Sequence, residues 1–386
     1  MGHANKIIFI YIQGEDSNFP DETSDDCWIA GHTGMIALQL SKRYNSDLFE
    51  SWRIDLTAHK YKQKLAYGVI CKVFPSKTIP FWGPFSPSVF RQIYIEQKKY
   101  KIVIHVSSAS NLIFYLIRLI FRNVKFVYSQ MGERLYFIDT HKTLKKKIKL
   151  NLQKLFLKSV DHIFVASNEI YAGLLQIGVR KYKISFPEIG TDVNMFSPME
   201  KSEARQLLHL PIEKKVILYI GRFLKERGVV AIIDSIPALK SIFPNLLIIM
   251  LGGNENDSCW DKVNKHQDIT VYGYTKYELL PLFHNASDLS IRVDFLNEGP
   301  VSVGTNVFES LCCNTPVVST TLKHFMNADV KKLGISPMSI NDLSDAIIKV
   351  LKNSDHYNDC SQEVRNIYSW DNVCAEHLRV YNNLLS

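Results

Sequence analysis

The chain has 386 residues, of which 46% are hydrophobic and 22% charged, a composition typical of globular proteins and not of disordered ones. Its length predicts two domains with ample cores. Its seven cysteines show no Cys-x-x-Cys spacing, which favours buried thiols in a reducing compartment over a disulfide framework or a metal site.

The net charge of +8 is unevenly placed along the chain. Residues 1–200 carry a net +10, and residues 51–150 alone carry 19 basic and 4 acidic groups, or +15. Such a surface attracts anionic partners, for example an acidic membrane leaflet. A basic face can also bind nucleic acid, but no recognition motif accompanies this one, so we expect no nucleic-acid partner.

In the first half, strand-like and helix-like segments alternate. The chain begins with Lys6–Ile12, which reads as a buried strand rather than a signal peptide. An acidic loop, residues 14–26, precedes an apolar helix at Met35–Leu40, and a loop of that length is usually functional or mobile. The next strands are predicted at Lys101–His105, Lys125–Ser129 and His162–Ala166.

Two helical segments of this half place apolar side chains beside basic ones. They are residues 111–122 (NLIFYLIRLIFR) and residues 142–158, which are rich in lysine and leucine. Both could lie in a membrane interface, or both could be core-packed helices with basic outer faces. No run of apolar residues approaches the ~20 needed to span a bilayer.

The second half repeats the alternation after a segment rich in turn residues, Gly190–Pro198, which we predict to be a hinge. Alternating strands and helices predict parallel sheets with right-handed crossovers. The predicted strands are Lys215–Ile220, Leu246–Leu251, Ile269–Tyr272, Leu289–Val293 and Pro316–Ser319.

Residues 216–228 (VILYIGRFLKERG) begin with a five-residue apolar strand that ends in Gly221-Arg222, and Arg227 follows five residues after Arg222. Ligands of open α/β sheets bind beyond the carboxyl ends of strands. Arginine forks match phosphate oxygens in pairs. A lone arginine here would usually be a solvated loop residue, but two of them, flanked by glycines, indicate a diphosphate site.

Residues 298–320 (EGPVSVGTNVFESLCCNTPVVST) predict a glycine-bearing loop, a short helix, a turn and a buried strand. The backbone N–H groups of Gly304, Thr305 and Asn306 would open the helix and favour a phosphate. Glu309, one turn later, could accept hydrogen bonds from a ribose diol. Asn314 suits a left-handed cap. An ordinary helix–turn–strand joint remains the alternative for this stretch.

Together these segments resemble the retaining GT-B glycosyltransferases of family 4, and the resemblance runs through most of the chain after about residue 160. It rests on the order and spacing of several weak motifs. Besides the two segments above, they are IFVASNE (163–169), IGTDVNMFSP (189–198), LLIIMLGG (246–253), VYGY (271–274) and YSWDNV (368–373).

The resemblance implies an α/β fold of the GT-B type, with two Rossmann-like domains facing across a cleft. It implies an acceptor-binding domain at residues 1–190, a nucleotide-sugar domain at 191–365, and a last helix at 366–386 that crosses back to the first domain.

The resemblance also implies roles for individual residues. Arg222 and Arg227 would bind the donor diphosphate, Glu309 the ribose, and the backbone around Gly273 and Tyr274 the base. Further contacts to the donor would come from Gly221, from Gly31 and Gly34 in the first-domain glycine loop, and from Gly304, Thr305, Asn306 and Val307 at the phosphate.

The sequence departs from the family pattern at two places. The first glutamate of the family pair should lie eight residues before Glu309, where this chain has Val301, and the nearest candidate is Glu298. In the first domain Met131 stands where many relatives have histidine, and Gln130, Glu133 and His105 are the polar residues nearby. For His105, a hydrogen-bonded strand-end residue and a substrate contact are both open.

The resemblance, together with these residues, implies a retaining, metal-independent hexosyltransferase that moves a sugar from a UDP- or GDP-linked donor, without a separate cofactor. The acceptor would be a glycan or lipid-linked glycan, anionic in character, in polysaccharide, glycolipid or protein-glycan assembly. Positive charge at Arg222, Arg227 and the helix start would stabilise the departing diphosphate.

Two other classes of function stay open. One is a sugar-nucleotide epimerase or phosphorylase on the same fold, and the other is a non-catalytic GT-B-like subunit at a membrane. We expect a cytoplasmic protein with possible peripheral contact to the inner face of the cell membrane.

Overall fold

The computed structural model describes residues 4–13, 31–80, 82–130, 144–186, 190–294, 304–322, 325 and 328–386. The chain divides into two compact units. Unit 1 comprises Met1–Ile189 and Asp371–Ser386, and unit 2 comprises Gly190–Trp370.

Unit 1 begins with strands and helices in alternation. Its strands are β1 (Ala4–Gln13), β2 (Phe49–Asp55), β3 (Lys62–Ala66), β4 (Val69–Pro75), β5 (Lys77–Ile79), β6 (Gly83–Phe85), β7 (Tyr100–Val106), β8 (Lys125–Ser129), β9 (His162–Phe164) and β10 (Ile184–Ser185). Its helices before unit 2 are α1 (Gly31–Arg43), α2 (Pro87–Glu96), α3 (Leu112–Ile120), α4 (Leu144–Ser159) and α5 (Asn168–Gln176).

Among the described residues of unit 1, a sheet of strands runs in the order β10-β9-β8-β7-β1-β2-β4-β3. Neighbouring strands are parallel except β3, which pairs antiparallel with β4. The central β1 is buried on both faces, with Ile8, Phe9 and Ile10 inaccessible to solvent. Strands buried on both faces are typical of parallel sheets covered by helices. The predicted strands at β1, β7, β8 and β9 are confirmed.

The structure adds strand β2, which the sequence did not predict. All seven of its residues are buried, although Glu50, Arg53 and Asp55 are charged. Glu50 accepts hydrogen bonds from Lys6 Nζ and Trp52 Nε1, each at 2.7 Å. Lys6 and Lys72 neutralise Glu50, and Arg53 pairs with Asp55 at 3.1 Å. The segment can therefore form a buried strand without an apolar run.

Unit 2 repeats the alternation and is covered by helices of its own. Its strands are β11 (Val216–Ile220), β12 (Leu247–Leu251), β13 (Ile269–Gly273), β14 (Leu289–Arg292), β15 (Val317–Ser319) and β16 (Gly334–Ile335). Its helices are α6 (Lys201–Leu207), α7 (Val229–Ile242), α8 (Trp260–Asn264), α9 (Leu280–Ala286), α10 (Thr305–Cys312), α11 (Leu343–Lys352) and α12 (Cys360–Tyr368).

These strands form a parallel sheet in the order β13-β12-β11-β14-β15-β16. All five strands predicted for this half are confirmed, with ends that differ by about one residue. One face of the sheet packs Ile217 and Ile291 against Ile232 of α7 and Ile347 of α11. On the other face, Val216, Leu218 and Ile249 pack against Phe283 of α9.

The last helix, α13 (Trp370–Leu385), joins the core of unit 1. The hydroxyl of Tyr381 lies 2.6 Å from His105 Nδ1, and Ser129 Oγ lies 2.7 Å from His105 Nε2. The ring of His377 stacks on Phe164 with centroids 3.8 Å apart. His105 is fully buried with both ring nitrogens engaged, which favours the structural interpretation over a substrate contact.

The six cysteines among the described residues are buried and form no disulfide, as predicted; Cys27 lies outside those residues. Burial raises the pKa of Cys312 to about 12, so its thiol stays protonated. Within the described part of the chain, no helix combines the length and apolarity needed to cross a membrane.

Candidate functional site

The carboxyl ends of β11, β12 and β13 meet the start of α10 at one edge of the unit 2 sheet. Gly252 donates its backbone N–H to Gly273 O at 2.6 Å. A Cβ on Gly252 would lie 2.7 Å from the carbonyl oxygen of Gly221, so only glycine allows this approach. Asn306 Nδ2 donates to Ile220 O at 3.1 Å and ties α10 to the end of β11.

Arg222 lies at this edge, anchored by a buried carboxylate. Its Nε and Nη2 donate to Asp257 Oδ1 at 3.0 and 2.9 Å. The other oxygen of Asp257 accepts the backbone N–H of Phe223 at 2.8 Å. The Asp257 side chain is inaccessible to solvent, whereas the Arg222 side chain is 63% exposed. Arg222 is thus held in place while its guanidinium remains open to a ligand.

A second buried carboxylate, Asp294, lies between Arg292 and Arg227. Arg292 Nε donates to Asp294 Oδ2 at 3.0 Å, and Arg227 Nη1 lies 3.6 Å from Asp294 Oδ1. Asp294 Oδ1 is buried and has no hydrogen-bond partner among the described residues. Arg227 is 40% exposed. This arrangement keeps the second predicted arginine near the end of β14, with one side of its guanidinium in solvent.

The start of α10 adds backbone donors. Gly304 is the N-cap, in an extended conformation, and a Cβ there would lie 3.4 Å from the guanidinium of Arg292. The first N–H groups of a helix have no partner within the helix, and its dipole is positive at this end. The Val307 side chain is only 1% exposed, and the Asn306 amide is engaged with β11, so these residues and Thr305 would meet a ligand chiefly through backbone.

Glu309, the predicted ribose ligand, is more buried than that role requires. Its side chain is 6% exposed, and Oε1 accepts a hydrogen bond from the hydroxyl of Tyr277 at 3.2 Å. Oε2 lies 3.9 Å from His284 Nε2. Burial, and then the nearby Glu309, raise the pKa of Tyr277, so its hydroxyl stays a donor. A ribose diol would have to compete with Tyr277 for this carboxylate.

The remaining predicted site residues lie in different parts of the chain, and some lie outside the described residues. Gly273 has a left-handed φ of +62°, and the Tyr274 side chain beyond it is 91% exposed. Gly31 and Gly34 lie in unit 1, in the first turn of α1. Glu298 falls outside the described residues, as do Met131 and Glu133. Gln130 is buried.

Helix α10 ends as the sequence predicts. It stops at Cys312, and Asn314 adopts a φ of +62°, the left-handed conformation expected of the cap. The Asn314 side chain then accepts the backbone N–H of Ser361 at 3.1 Å. The turn therefore fixes the end of α10 against α12.

Sequence reasoning missed Asp257, Arg292, Asp294 and Tyr277. Arg292 ends a buried strand, the same signal that singled out Arg222, and it could have been found that way. Asp257 lies in an irregular segment after β12, and Tyr277 begins a single 3-10 turn after β13; neither has a periodic pattern around it. Their importance follows only from contacts distant in sequence.

Among the described residues, no group of three or more His, Cys, Asp or Glu side chains is placed to hold a metal ion. The positive charge of this site comes instead from arginines and the start of α10. Such a combination suits phosphate oxygens.

Comparison with known proteins agrees with this geometry. Residues 200–367, which include Arg222, Arg227 and α10, match the family described as Glycosyl transferases group 1. An uncharacterized glycosyltransferase of Methanocaldococcus jannaschii is 22% identical over 201 residues. That match covers 49% of this chain and 50% of the relative, so it spans about half the length of each.

Solved structures match over nearly the whole chain. Sucrose-phosphate synthase from Thermosynechococcus elongatus has a TM-score of 0.70 at 17% identity, covering 98% of this chain and 99% of that one. A glycosyltransferase from Rickettsia africae has a TM-score of 0.68 at 13% identity, covering 99% of each chain. Anabaena HepE, solved with UDP and glucose, has a TM-score of 0.65 at 15% identity, covering 98% and 99%. The chain therefore has the α/β fold of the GT-B glycosyltransferases, and most of unit 2 matches the glycosyl transferases group 1 family.

Proposed function

We propose that the protein is a retaining, metal-independent glycosyltransferase that takes a sugar from a nucleotide-diphosphate donor, UDP- or GDP-linked. The observation that carries this proposal is the pair of exposed arginines, Arg222 and Arg227, beside buried Asp257 and Asp294. Arginines held in advance need no reordering when a diphosphate arrives, and they can stabilise the charge that builds as the sugar leaves. The group 1 match over residues 200–367 supports the same reaction class.

The donor binds, in this proposal, along the edge formed by β11, β13 and α10. Backbone N–H groups at Gly304 and Thr305 hold the diphosphate together with the arginines. Gly273 and Tyr274 meet the base, and Glu309 takes the ribose after Tyr277 releases it. HepE, which has a similar fold, was solved with UDP and with UDP-glucose, and this supports UDP as the first nucleotide to test.

For the acceptor we propose an anionic glycan or lipid-linked glycan in the cytoplasm, because residues 51–150 carry a net +15. Positive charge of this density raises the local concentration of anionic substrates. The same reasoning favours polysaccharide, glycolipid or protein-glycan assembly as the setting.

Titration calorimetry against UDP, GDP and ADP, with and without magnesium, tests the donor site. We expect one nucleotide to bind without metal, and Arg222→Ala to weaken that binding roughly 10- to 100-fold, because a hydrogen bond to a charged group contributes about 1.5–3 kcal/mol. Arg180→Ala, at an exposed arginine of unit 1, is the matched control and should bind as the wild type does.

Failure of all three nucleotides to bind would overturn the proposal and favour a non-catalytic subunit. Nucleotide binding that Arg222→Ala leaves unchanged would overturn the placement of the donor at Arg222. If a nucleotide binds, incubation with the corresponding sugar donors separates the enzyme classes. A glycosylated acceptor with free nucleotide supports transfer, and a new sugar nucleotide without acceptor indicates an epimerase. NMR of the anomeric proton then reports retention or inversion.

A further inference from the structure

Helices α3 and α4 of unit 1 pack side by side and leave an apolar surface in solvent. The rings of Tyr115 and Phe156 meet edge to face at 5.3 Å, and Arg118 Nη2 donates to Ser159 O at 2.7 Å, which fixes the pair. Yet Leu119 is 64% exposed and Leu155 is 66% exposed. A groove of about 600 Å³ runs between the helices, with Leu119, Leu152 and Leu155 among its lining residues.

This surface is not the face that builds the core of the unit. Helix α4 buries Leu150, Phe156 and Leu157. Its second apolar stripe, Ile148, Leu152 and Leu155, recurs at the helical spacing of four and three residues on another face. Ile148 on that stripe is 44% exposed. Burying such side chains in an apolar phase would gain hydrophobic free energy that folding of the unit has not used.

The charged residues of the two helices are all basic. Helices α3 and α4 contain seven basic residues and no acidic one. Arg122 lines the groove, and Lys147 and Lys158 are exposed on α4. The carboxylate of Asp161, just after α4, is paired with Arg118 at 3.3 Å, so it neutralises a charge that is already engaged.

We propose that this α3–α4 surface docks the protein on an anionic lipid leaflet, with the leucines entering the acyl boundary and the basic side chains on the headgroups. Lipid phosphates alone would account for the basic residues but not for the exposed leucines. An apolar protein partner would account for the leucines but not for the lack of carboxylates. An acidic bilayer surface offers both kinds of contact within a few ångströms.

Docking on a membrane would bring the proposed enzyme to a lipid-linked acceptor. This link to an acceptor is the one part of the inference that rests on the proposed function. Lipid binding is itself measured without donor or acceptor. The full chain is sedimented with vesicles of phosphatidylcholine alone, and with vesicles in which about a third of the lipid is phosphatidylglycerol. We expect binding to the anionic vesicles and little to the neutral ones, weakening as salt is raised.

Two double variants separate the contributions of the surface. Leu119→Ser with Leu155→Ser removes apolar contact, and Arg122→Gln with Lys158→Gln removes charge. The charge variant should weaken binding roughly tenfold or more, because each basic residue near an acidic leaflet contributes about a fivefold change in affinity. The leucine variant should also weaken binding roughly tenfold or more, because two apolar side chains no longer enter the acyl boundary. The matched controls are Leu65→Ser, at a leucine 65% exposed on β3, and Lys265→Gln with Lys352→Gln in unit 2. The controls should bind as the wild type does.

Wild-type failure to bind the anionic vesicles, or equal binding by the variants and controls, would overturn the proposal. A concentration-dependent dimer that the leucine variant abolishes, without vesicle binding, would assign the surface to a second copy of the chain instead. The leucine variant should keep its unfolding midpoint and its nucleotide affinity. Vesicle binding without nucleotide binding would leave the docking surface standing and remove the transferase proposal alone.

Discussion

At the scale of single residues, two glycines of unit 2 have a left-handed φ in different surroundings. Gly228, between the segment of Arg227 and helix α7, has a φ of +71°, and a Cβ there would lie 2.5 Å from both Val293 O and Val293 Cγ2. Gly273 has a φ of +62°, and a Cβ there would meet nothing within 4 Å. Substituting each glycine in turn therefore distinguishes the stability lost to a left-handed φ from the stability lost to a steric clash.

Gly228→Ala should lower the free energy of unfolding of unit 2 by about 3 kcal/mol, because strain in φ adds to overpacking against backbone. Gly273→Ala should cost only about 1 kcal/mol, the contribution of the φ strain alone. Urea unfolding of both variants without ligand measures the difference. Equal losses would mean that Val293 moves aside freely and that the close approach at Gly228 is unimportant.

At the scale of secondary-structure elements, periodic apolar strands could be predicted from the sequence and charged ones could not. Residues 216–220 (VILYI) can only be buried, so β11 was predicted nearly to the residue. Strand β2 could not be, because Glu50 is buried only where Lys6 and Lys72 reach it at 2.7 Å. The pairing of charges from three strands is a property of the folded sheet.

The candidate site divides in the same way. Arg222, Arg227 and the start of α10 were predictable because each follows a strand or opens a helix. The anchors Asp257 and Asp294 lie 35 and 67 residues from the arginines they hold. No local sequence pattern predicts contacts between residues so far apart in the chain.

Two buried histidines, His377 on α13 and His162 on β9, make unit 1 sensitive to mild acid. Burial lowers the pKa of His377 to about 4, and burial likewise lowers that of His162 to about 4. The unfolded chain therefore binds more protons than the folded one between pH 6.5 and 4, and stability is lost as the pH falls through that window. Each histidine should cost unit 1 about 2 kcal/mol by pH 5.

Replacing His377 with Phe should reduce the loss of stability between pH 7 and 5, whatever the substitution does to stability at pH 7. Urea unfolding of unit 1 at the two pH values gives the slope. The same change at exposed His59 is the control and should leave the slope as in the wild type. An unchanged slope in His377→Phe would mean that His377 is protonated inside the folded unit.

At the scale of the whole molecule, each unit has its own sheet and its own buried core. The proposed donor contacts of Arg222, Arg227 and α10 lie in unit 2, whereas His162 and His377, whose pKa values are lowered by burial, lie in unit 1. We therefore expect nucleotide to act chiefly on unit 2 and protonation of these two histidines to act on unit 1.

Calorimetric unfolding should show two transitions that respond separately. A nucleotide at about 100 times its dissociation constant should stabilise the unit 2 transition by about 2.7 kcal/mol. Lowering the pH from 7 to 5 should chiefly shift the unit 1 transition. Gly228→Ala identifies which transition belongs to unit 2. A single transition that moves under both treatments would show that the units unfold together.

The chain leaves unit 1 and returns to it at one place, where Thr191 bridges Ser369 and Gly190 packs against Trp370. Unit 2 is thus inserted into unit 1, whose final segment, with His377 and Tyr381, is translated after all of residues 190–370. During synthesis, unit 2 can complete its fold while the sheet begun at β1 still lacks α13. Unit 1 therefore begins before unit 2 and is completed after it. Until α13 is made, the face of the sheet that carries His105 is uncovered and accessible to solvent and chaperones.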